Sequence, residues 1–288
     1  MKHIIQFSGG KDSLATLLFV KNKYGLDKAE VIFCDTGWES EKTYQHIKDI
    51  QEQIGKKFII LKSKKYKGFQ DLAIKKKRFP STKARFCTEA LKTNPFIDWV
   101  LEQKEHLIIY QGIRKDESIS RSKMLAECSY FRFYFEKKAN GKTDTYRKKE
   151  IIEWCKNYNA DIIRPIFEWT AKNVFDYIKE NGFKANPLYY EGFSRVGCFP
   201  CIQCVKREIK LVNEKHPDII EKIRKLELKS GYTFFPPKYI PNRFCTGRDK
   251  KGNRFPKIDD VVKYVRDDPN QETFNEPRTC QSVYNICE

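Results

Sequence analysis

Apolar residues in this chain fall in short unbroken runs, separated by stretches where they recur every three or four positions. The first run is Ile4-Ile5-Gln6-Phe7, and Leu14, Leu17, Leu18 and Val20 then follow at helical spacing. Runs of the first kind read as buried strands and those of the second as amphipathic helices. The alternation continues with Val31–Cys34 as a strand, Ser40–Ile54 as a helix with Ser40 as its N-cap, and Phe58–Leu61 as a strand. A β-α-β-α-β order predicts an α/β fold with a doubly wound, mostly parallel sheet. A helix with Leu91 and Pro95–Leu101 and a strand over 106–112 extend the pattern. Alternating aromatics between Tyr130 and Arg147, with Asn140-Gly141 between them, predict a hairpin insertion. A helix over 147–158, a strand at Ile162-Ile163 and a helix over 171–181 follow; Thr170 is a good N-cap and Gly182 a good C-terminal stop.

Beyond this lie helices expected over 201–214, 217–229 and 258–266, which make a helical, cysteine-bearing C-terminal region. The expected division is a nucleotide-binding domain over 1–190 and a second region over 191–288.

The first turn carries the most chemistry. Ser8-Gly9-Gly10-Lys11-Asp12-Ser13 stands between the first strand and the first helix. Glycines let backbone N–H groups approach a ligand, and a helix N-terminus favours an anion, so the turn predicts a phosphate cradle. Ser8 and Ser13 add hydroxyls, Lys11 a mobile positive charge, and Asp12 a cap or a metal-positioning carboxylate. The loop is not the GxxxxGK[ST] pattern. Two further strand ends are polar: Asp35-Thr36-Gly37-Trp38-Glu39, and Gly112-Ile113-Arg114-Lys115-Asp116-Glu117-Ser118 with Arg121 behind it. Loops at the C-terminal ends of parallel strands are where such sheets bind ligands.

Length and charge extend the picture. The 288 residues are 40% apolar, enough for a core, and no apolar run is long enough to span a bilayer. With no apolar leader before Ser8, a cytoplasmic location is the expectation. The net charge of +18 suggests a polyanionic partner. Residues 62–85 hold ten Lys or Arg against one acid, Asp71, and are the expected nucleic-acid contact; a solvated lid is the alternative.

Ten cysteines in a cytosolic chain suggest thiols or metal ligands rather than disulfides. Cys198, Cys201 and Cys204 are spaced as soft ligands for an iron–sulfur cluster or zinc. Cys87 is the expected fourth ligand, with Cys245 as second choice; Cys34, Cys128, Cys155, Cys280 and Cys287 have no ligand spacing.

The Ser8–Ser13 loop resembles the SGGxDS PP-loop of the adenine-nucleotide alpha-hydrolase superfamily. Further pieces resemble the phosphoadenosine phosphosulfate reductase family: Asp35-Thr36-Gly37, Arg85-x-Cys87-Thr88, Gly112-x-Arg114-x-x-Glu117-Ser118, Pro165-Ile166, Asn186-Pro187-Leu188-Tyr189 and Gly197-Cys198-x-x-Cys201. The resemblance implies an adenine nucleotide across the sheet's C-terminal edge and a 4Fe–4S cluster, as some members hold. The family includes sulfonucleotide reductases and ATP pyrophosphatases that activate nucleic acid for sulfur insertion, among them DNA phosphorothioation enzymes. The complete loop, with Lys11 and Asp12, resembles the second branch, and the reductases' Glu-Cys-Gly-(Leu/Ile)-His motif is absent.

The expectation is an enzyme that cleaves ATP to AMP and pyrophosphate with Mg²⁺ and adenylylates an acceptor, probed first as nucleic acid. A cysteine desulfurase or another donor then brings sulfur. Lys11, Asp12, Arg114 and Arg121 are the expected catalytic residues. Ser8, Gly9, Gly10, Lys11, Asp12, Ser13 and Gly112 are expected to hold phosphates, and Asp35, Thr36 and Gly37 to border adenosine. The alternatives are a sulfonucleotide reductase and a nucleotide-gated nucleic-acid-binding protein that binds without turnover.

Overall fold

The computed structural model describes residues 1–81, 84–136 and 143–267. In chain order the main elements are β1 (Lys2–Phe7), α1 (Lys11–Tyr24), β2 (Ala29–Cys34), α2 (Glu41–Ile54), β3 (Ile59–Leu61) and α3 (Phe69–Lys76). Then come α4 (Asn94–Glu102), β4 (Leu107–Gln111), β5 (Glu127–Ser129), α5 (Lys148–Trp154), β6 (Ala160–Ile163) and α6 (Ala171–Glu180). The chain continues with α7 (Lys206–Lys215), α8 (Pro217–Ser230), β7 (Gly247–Arg248), β8 (Arg254–Phe255) and α9 (Ile258–Asp267).

These elements form two compact units. One comprises 1–34, 42–61 and 92–187, the other 35–41, 62–91 and 188–288. Two segments of the first half, 35–41 and 62–91, the latter carrying α3, belong to the second unit.

The first unit is a six-stranded sheet of order β3-β2-β1-β4-β6-β5, parallel except for β5 against β6. Alternate residues of the strands feed two apolar layers, as a sheet covered on both faces requires. Ile5, Phe7, Val31 and Phe33 pack with Leu14, Leu17 and Leu18 of α1, Ile47 and Ile50 of α2, and Val174 and Ile178 of α6. Ile4, Ile32, Ile109 and Ile162 pack with Phe96, Ile97 and Val100 of α4 and Ile151 and Trp154 of α5 on the other face. From β1 the chain winds through β2 to β3 on one side, then returns to place β4 on β1's other edge. That reversal opens a crevice at the C-terminal ends of β1 and β4.

Helix ends follow local chemistry. The Thr170 hydroxyl accepts from Asn173 N at 3.2 Å, and the Asn173 side chain accepts from Thr170 N at 2.9 Å, which starts α6 where the sequence predicted. One expectation here fails, and one lies beyond the described residues. Arg132–Phe135 is helical where one arm of a hairpin was expected, and Asn140-Gly141 lies outside the described residues. Phe131 and Tyr134 are buried against Trp154 and Tyr130; burying them three apart needs a helical turn, not a strand.

The second unit centres on an aromatic core. Trp38 lies 4.9 Å from Phe69 and 6.1 Å from Phe234, and Phe234 meets Phe79 at 5.4 Å. Helices α7, α8 and α9 bury Ile209, Val212, Ile223, Leu226, Val261 and Val265. The partly buried Glu227 carboxylate accepts from Phe234 N, Thr233 Oγ1 and Ile258 N, which ties the end of α8 to the loops around it. Helix α7 starts at Lys206, not at Cys201. Glu208 accepts from Val205 N at 3.3 Å, an N-terminal box that sets the first turn after the cysteines.

Candidate nucleotide site

Ser8–Gly10 closes the crevice end of β1 and hands directly into α1. Ser13 Oγ is its hub: it donates to Gly10 O at 2.8 Å and accepts from Ser8 N and Ser8 Oγ, each at 3.2 Å. Gly9 has φ +75°, and a Cβ there would lie 2.7 Å from Thr43 Cγ2, so the turn needs glycine on both counts. Asn186, fully buried, donates to Gly9 O at 3.0 Å and to Thr43 Oγ1 at 3.1 Å. It clamps the turn from a point 177 residues away.

Gly112 ends β4 against the start of α1. A Cβ there would stand 2.5 Å from Asp12 O and 2.7 Å from Ser13 N, so a side chain would push the helix N-terminus off the sheet. The first N–H groups of a helix have no intrahelical acceptor, and here they sit at the sheet's switch point.

The charges around this N-terminus are arranged as a triad. Asp12 Oδ2 meets Lys11 Nζ at 2.9 Å and Asp12 Oδ1 meets Arg114 Nε at 2.6 Å. Lys11 and Arg114 are each only 5% exposed. Burial pushes the Asp12 carboxyl up, but the charges of Lys11 and Arg114, and the hydrogen bonds from both, hold it below the usual carboxylate value. Two buried cations on one carboxylate leave the cluster net positive. Arg114 Nη1 also donates to Trp169 O at 3.4 Å. Lys11 is therefore packed and paired, not the mobile charge expected, and Asp12 is occupied in orienting cations.

Arg121 is held differently. Glu117 Oε2 accepts from Arg114 N at 3.0 Å and forms an ion pair with Arg121 Nη1. Arg121 thus joins Arg114 through Glu117, on a half-exposed rim. Sequence reasoning also missed Gln6 and Gln111, paired in register on β1 and β4, whose side chains meet at 3.0 Å. Gln111 Oε1 accepts from Arg164 Nη2 at 2.9 Å, and Arg164 Nε is buried without a partner. A polar residue at the end of an otherwise apolar strand was the available signal.

In the second unit, Asp35–Glu39 is a rigid loop. Asp35 Oδ1 accepts from Gly37 N at 2.8 Å, and Asp35 Oδ2 meets Lys62 Nζ at 3.1 Å. The buried Glu39 carboxylate accepts from Thr36 N, Thr36 Oγ1 and Trp38 N. Phe199 N donates to Trp38 O at 2.7 Å, Trp38 Nε1 donates to Pro200 O at 3.1 Å, and Thr36 Oγ1 lies 3.7 Å from Cys198 Sγ. The loop expected to border adenosine is thus tied to the segment carrying the first cysteines. The basic residues over 62–85 that the structure describes are exposed, while Tyr66, Phe69, Leu72 and Phe79 turn inward.

The cysteines are less well gathered than their spacing suggests. Among the described residues, no group of three or more His, Cys, Asp or Glu side chains is placed to hold a metal ion. Cys201 Sγ accepts from Gln203 N at 3.5 Å. Cys204 is buried, and burial, then the charges of Glu208 and Cys201, push its thiol well above the ordinary value. The expected ligands Cys87, Cys198, Cys201 and Cys204 are not gathered into such a group. Cys280 and Cys287 lie outside the described residues. No helix among the described residues is long and apolar enough to cross a membrane.

The chain is 29% identical to an uncharacterized 37.8 kDa protein in the gpa 5' region of Escherichia phage 186, over 84% of this chain and 81% of that protein. It is 31% identical to an uncharacterized protein of Methanocaldococcus jannaschii, over 76% of this chain but only 40% of that longer protein. A solved phosphoadenylyl-sulfate reductase from Candida auris, in a phosphate complex, superposes with a TM-score of 0.49 at 17% identity, covering 70% of this chain and 83% of its own. Residues 2–204 match the phosphoadenosine phosphosulfate reductase domain, a span that takes in the Ser8–Ser13 loop, Gly112, Arg114 and the first three clustered cysteines. With that match over most of its length, the chain belongs to the phosphoadenosine phosphosulfate reductase domain family of the PP-loop superfamily.

Proposed function

We propose that this protein binds ATP at the Ser8–Ser13 loop and cleaves it between the α and β phosphates, adenylylating an acceptor for sulfur transfer. The observation that carries the reading is the buried Lys11–Asp12–Arg114 triad at the N-terminus of α1. It offers fixed positive charge, already desolvated, where negative charge accumulates on a departing pyrophosphate. Its cations need no reorientation, because Asp12 holds both.

The residues divide the work as follows. Backbone N–H groups of the loop and the first turn of α1 hold phosphate oxygens, with Ser8 and Ser13 fixing the turn. Lys11 and Arg114 stabilise the leaving pyrophosphate. Mg²⁺, when bound with ATP, would neutralise phosphate charge. An acceptor oxygen attacks the α-phosphorus, the bond to the bridging oxygen breaks, and pyrophosphate leaves with that electron pair. A sulfur nucleophile from a partner, such as a cysteine desulfurase, then displaces AMP. Arg121, on its exposed rim, contacts the acceptor. Asp35, Thr36 and Gly37 retain a proposed adenosine contact, tested by their own variants. The acceptor class is nucleic acid, supported by the +18 charge and the exposed basic residues over 62–85.

Lys11→Ala is expected to abolish pyrophosphate release from Mg·ATP; full release would refute the assignment. The family's own description favours a second reading, reduction of a sulfonucleotide. Binding of an adenosine phosphosulfate in preference to Mg·ATP would select it.

A further inference from the structure

Just before α9, the C-terminal part of the chain carries a small hairpin that the nucleotide chemistry does not use. β7 and β8 pair antiparallel, Gly247 with Phe255 and Arg248 with Arg254. Arg243, Arg248, Lys250, Lys251 and Arg254 on or beside it are all exposed, and none is in an ion pair among the described residues. The acid within the turn, Asp249, is exposed and holds the turn: it accepts from Lys251 N and Asn253 N at 2.8 Å and from Asn253 Nδ2 at 2.9 Å. The five basic side chains thus face solvent outside any ion pair among the described residues, and outnumber the one acid of the turn.

The hairpin is also firmly rooted. Asp260, buried at the start of α9, accepts from Thr246 N at 2.9 Å, Thr246 Oγ1 at 3.0 Å and Lys257 N at 2.9 Å. The Phe255 ring lies over Gly247, and Phe244 packs edge-on against Tyr264 at 5.0 Å. A rigid ribbon that presents five cations and has its flanking rings engaged in packing is built for a polyanion, not for a protein's apolar face.

We propose that this hairpin docks the chain on duplex DNA, with Arg248, Lys250 and Lys251 against phosphates. The choice among nucleic acids follows from shape. Single strands are gripped through rings on which bases stack, and the rings here are committed to packing. A two-stranded ribbon fits the wide major groove of B-form DNA, whereas the A-form major groove is deep and narrow. The inference rests on the reading that the acceptor is nucleic acid and names its class.

The test is fluorescence anisotropy with a labelled DNA duplex, without nucleotide, on the full chain and on Arg248→Ala/Lys250→Ala/Lys251→Ala. Each phosphate contact contributes about 0.9 to the slope of log affinity against log salt, so the variant's slope should be shallower by about 2.7. Between about 50 and 200 mM salt the ratio of wild-type to variant affinity should then shrink by about 40-fold. A control, Lys57→Ala/Lys104→Ala/Lys179→Ala, removes the same charge from exposed positions of the first unit and should keep the wild-type slope. An unchanged slope in the hairpin variant, an equal change in the control, no binding by the full chain, or tighter binding of an RNA duplex or a single strand would each overturn the proposal. The Mg·ATP melting shift of the same variant reports the nucleotide site separately and should equal that of the wild type.

Discussion

Asp12→Asn keeps the shape of the side chain and removes the negative charge between Lys11 and Arg114. Both cations are buried, at 2.9 and 2.6 Å from its oxygens, so neither can turn to water without unpacking. Removing one partner of a buried ion pair costs about 3–5 kcal/mol, because it leaves charge buried and uncompensated. The lower figure is the better guide, since the amide oxygen can still accept one hydrogen bond. For a chain of this size about 3 kcal/mol lowers the melting temperature by roughly 6–12 °C. The variant has a second signature. With the carboxylate's charge removed, the site is more positive, so pyrophosphate should raise the variant's melting temperature by more than it raises the wild type's. A third lies in pH. The folded carboxyl titrates below its ordinary 3.8, so its contribution is present above that value and is lost as pH falls through the folded pKa. The difference between the two proteins should therefore begin to shrink only as pH falls below the ordinary 3.8, and vanish once pH is below the folded pKa. Differential scanning fluorimetry across pH, with and without pyrophosphate, reads all three. A melting temperature within 2–3 °C of wild type, or rescue no larger than the wild-type shift, would refute the idea that Asp12 holds two buried charges over an anion site.

Other sites give sharper single outcomes. Gly112→Ala places a methyl 2.5 Å from Asp12 O; overpacking of this kind costs about 1–3 kcal/mol, and the Mg·ATP melting shift should fall with it. An undiminished shift would show that α1 tolerates displacement. Burial lowers the His46 pKa to about 4, so the unfolded chain binds a proton near pH 6.5 that the folded chain refuses. Stability should fall by up to ~3 kcal/mol as pH drops from about 6.5 to 4, and His46→Gln should flatten that fall in urea titrations. Glu39→Ala leaves Thr36 and Trp38 donors without their acceptor and should destabilise by about 1–3 kcal/mol. Protease sensitivity that does not change at the Asp35–Glu39 loop would contradict that role.

What was legible in the sequence is what local chemistry decides. Alternation of apolar runs located every parallel strand near its place, because a strand buried on both faces leaves few other readings. Ser8–Ser13 and Gly112 stood out because glycine at a strand end has few other uses. The functional arrangement was less legible, because it is made between distant residues. Asp12 and Arg114 are 102 positions apart, and Asn186 reaches Gly9 across 177. No spacing reports such pairs, so Lys11 looked mobile when it is packed. The helix after the cysteines was placed too early. Cys201 and Cys204 would share a helix face only if a helix began at Cys201, and the Val205–Glu208 box starts it later. Tyr130–Arg147 read as a hairpin from its alternating aromatics, but burial of Phe131 and Tyr134 on one side made a helical turn of Arg132–Phe135.

The most direct test of the central claim is competition between Mg·ATP and adenosine phosphosulfates for the anaerobically purified protein, followed by melting shift. A ligand at about a hundred times its dissociation constant adds about 2.7 kcal/mol, a shift of several degrees. The account predicts that Mg·ATP gives the larger shift in the wild type and that Lys11→Ala loses it. A larger shift with a phosphosulfate, retained in Lys11→Ala, would contradict it.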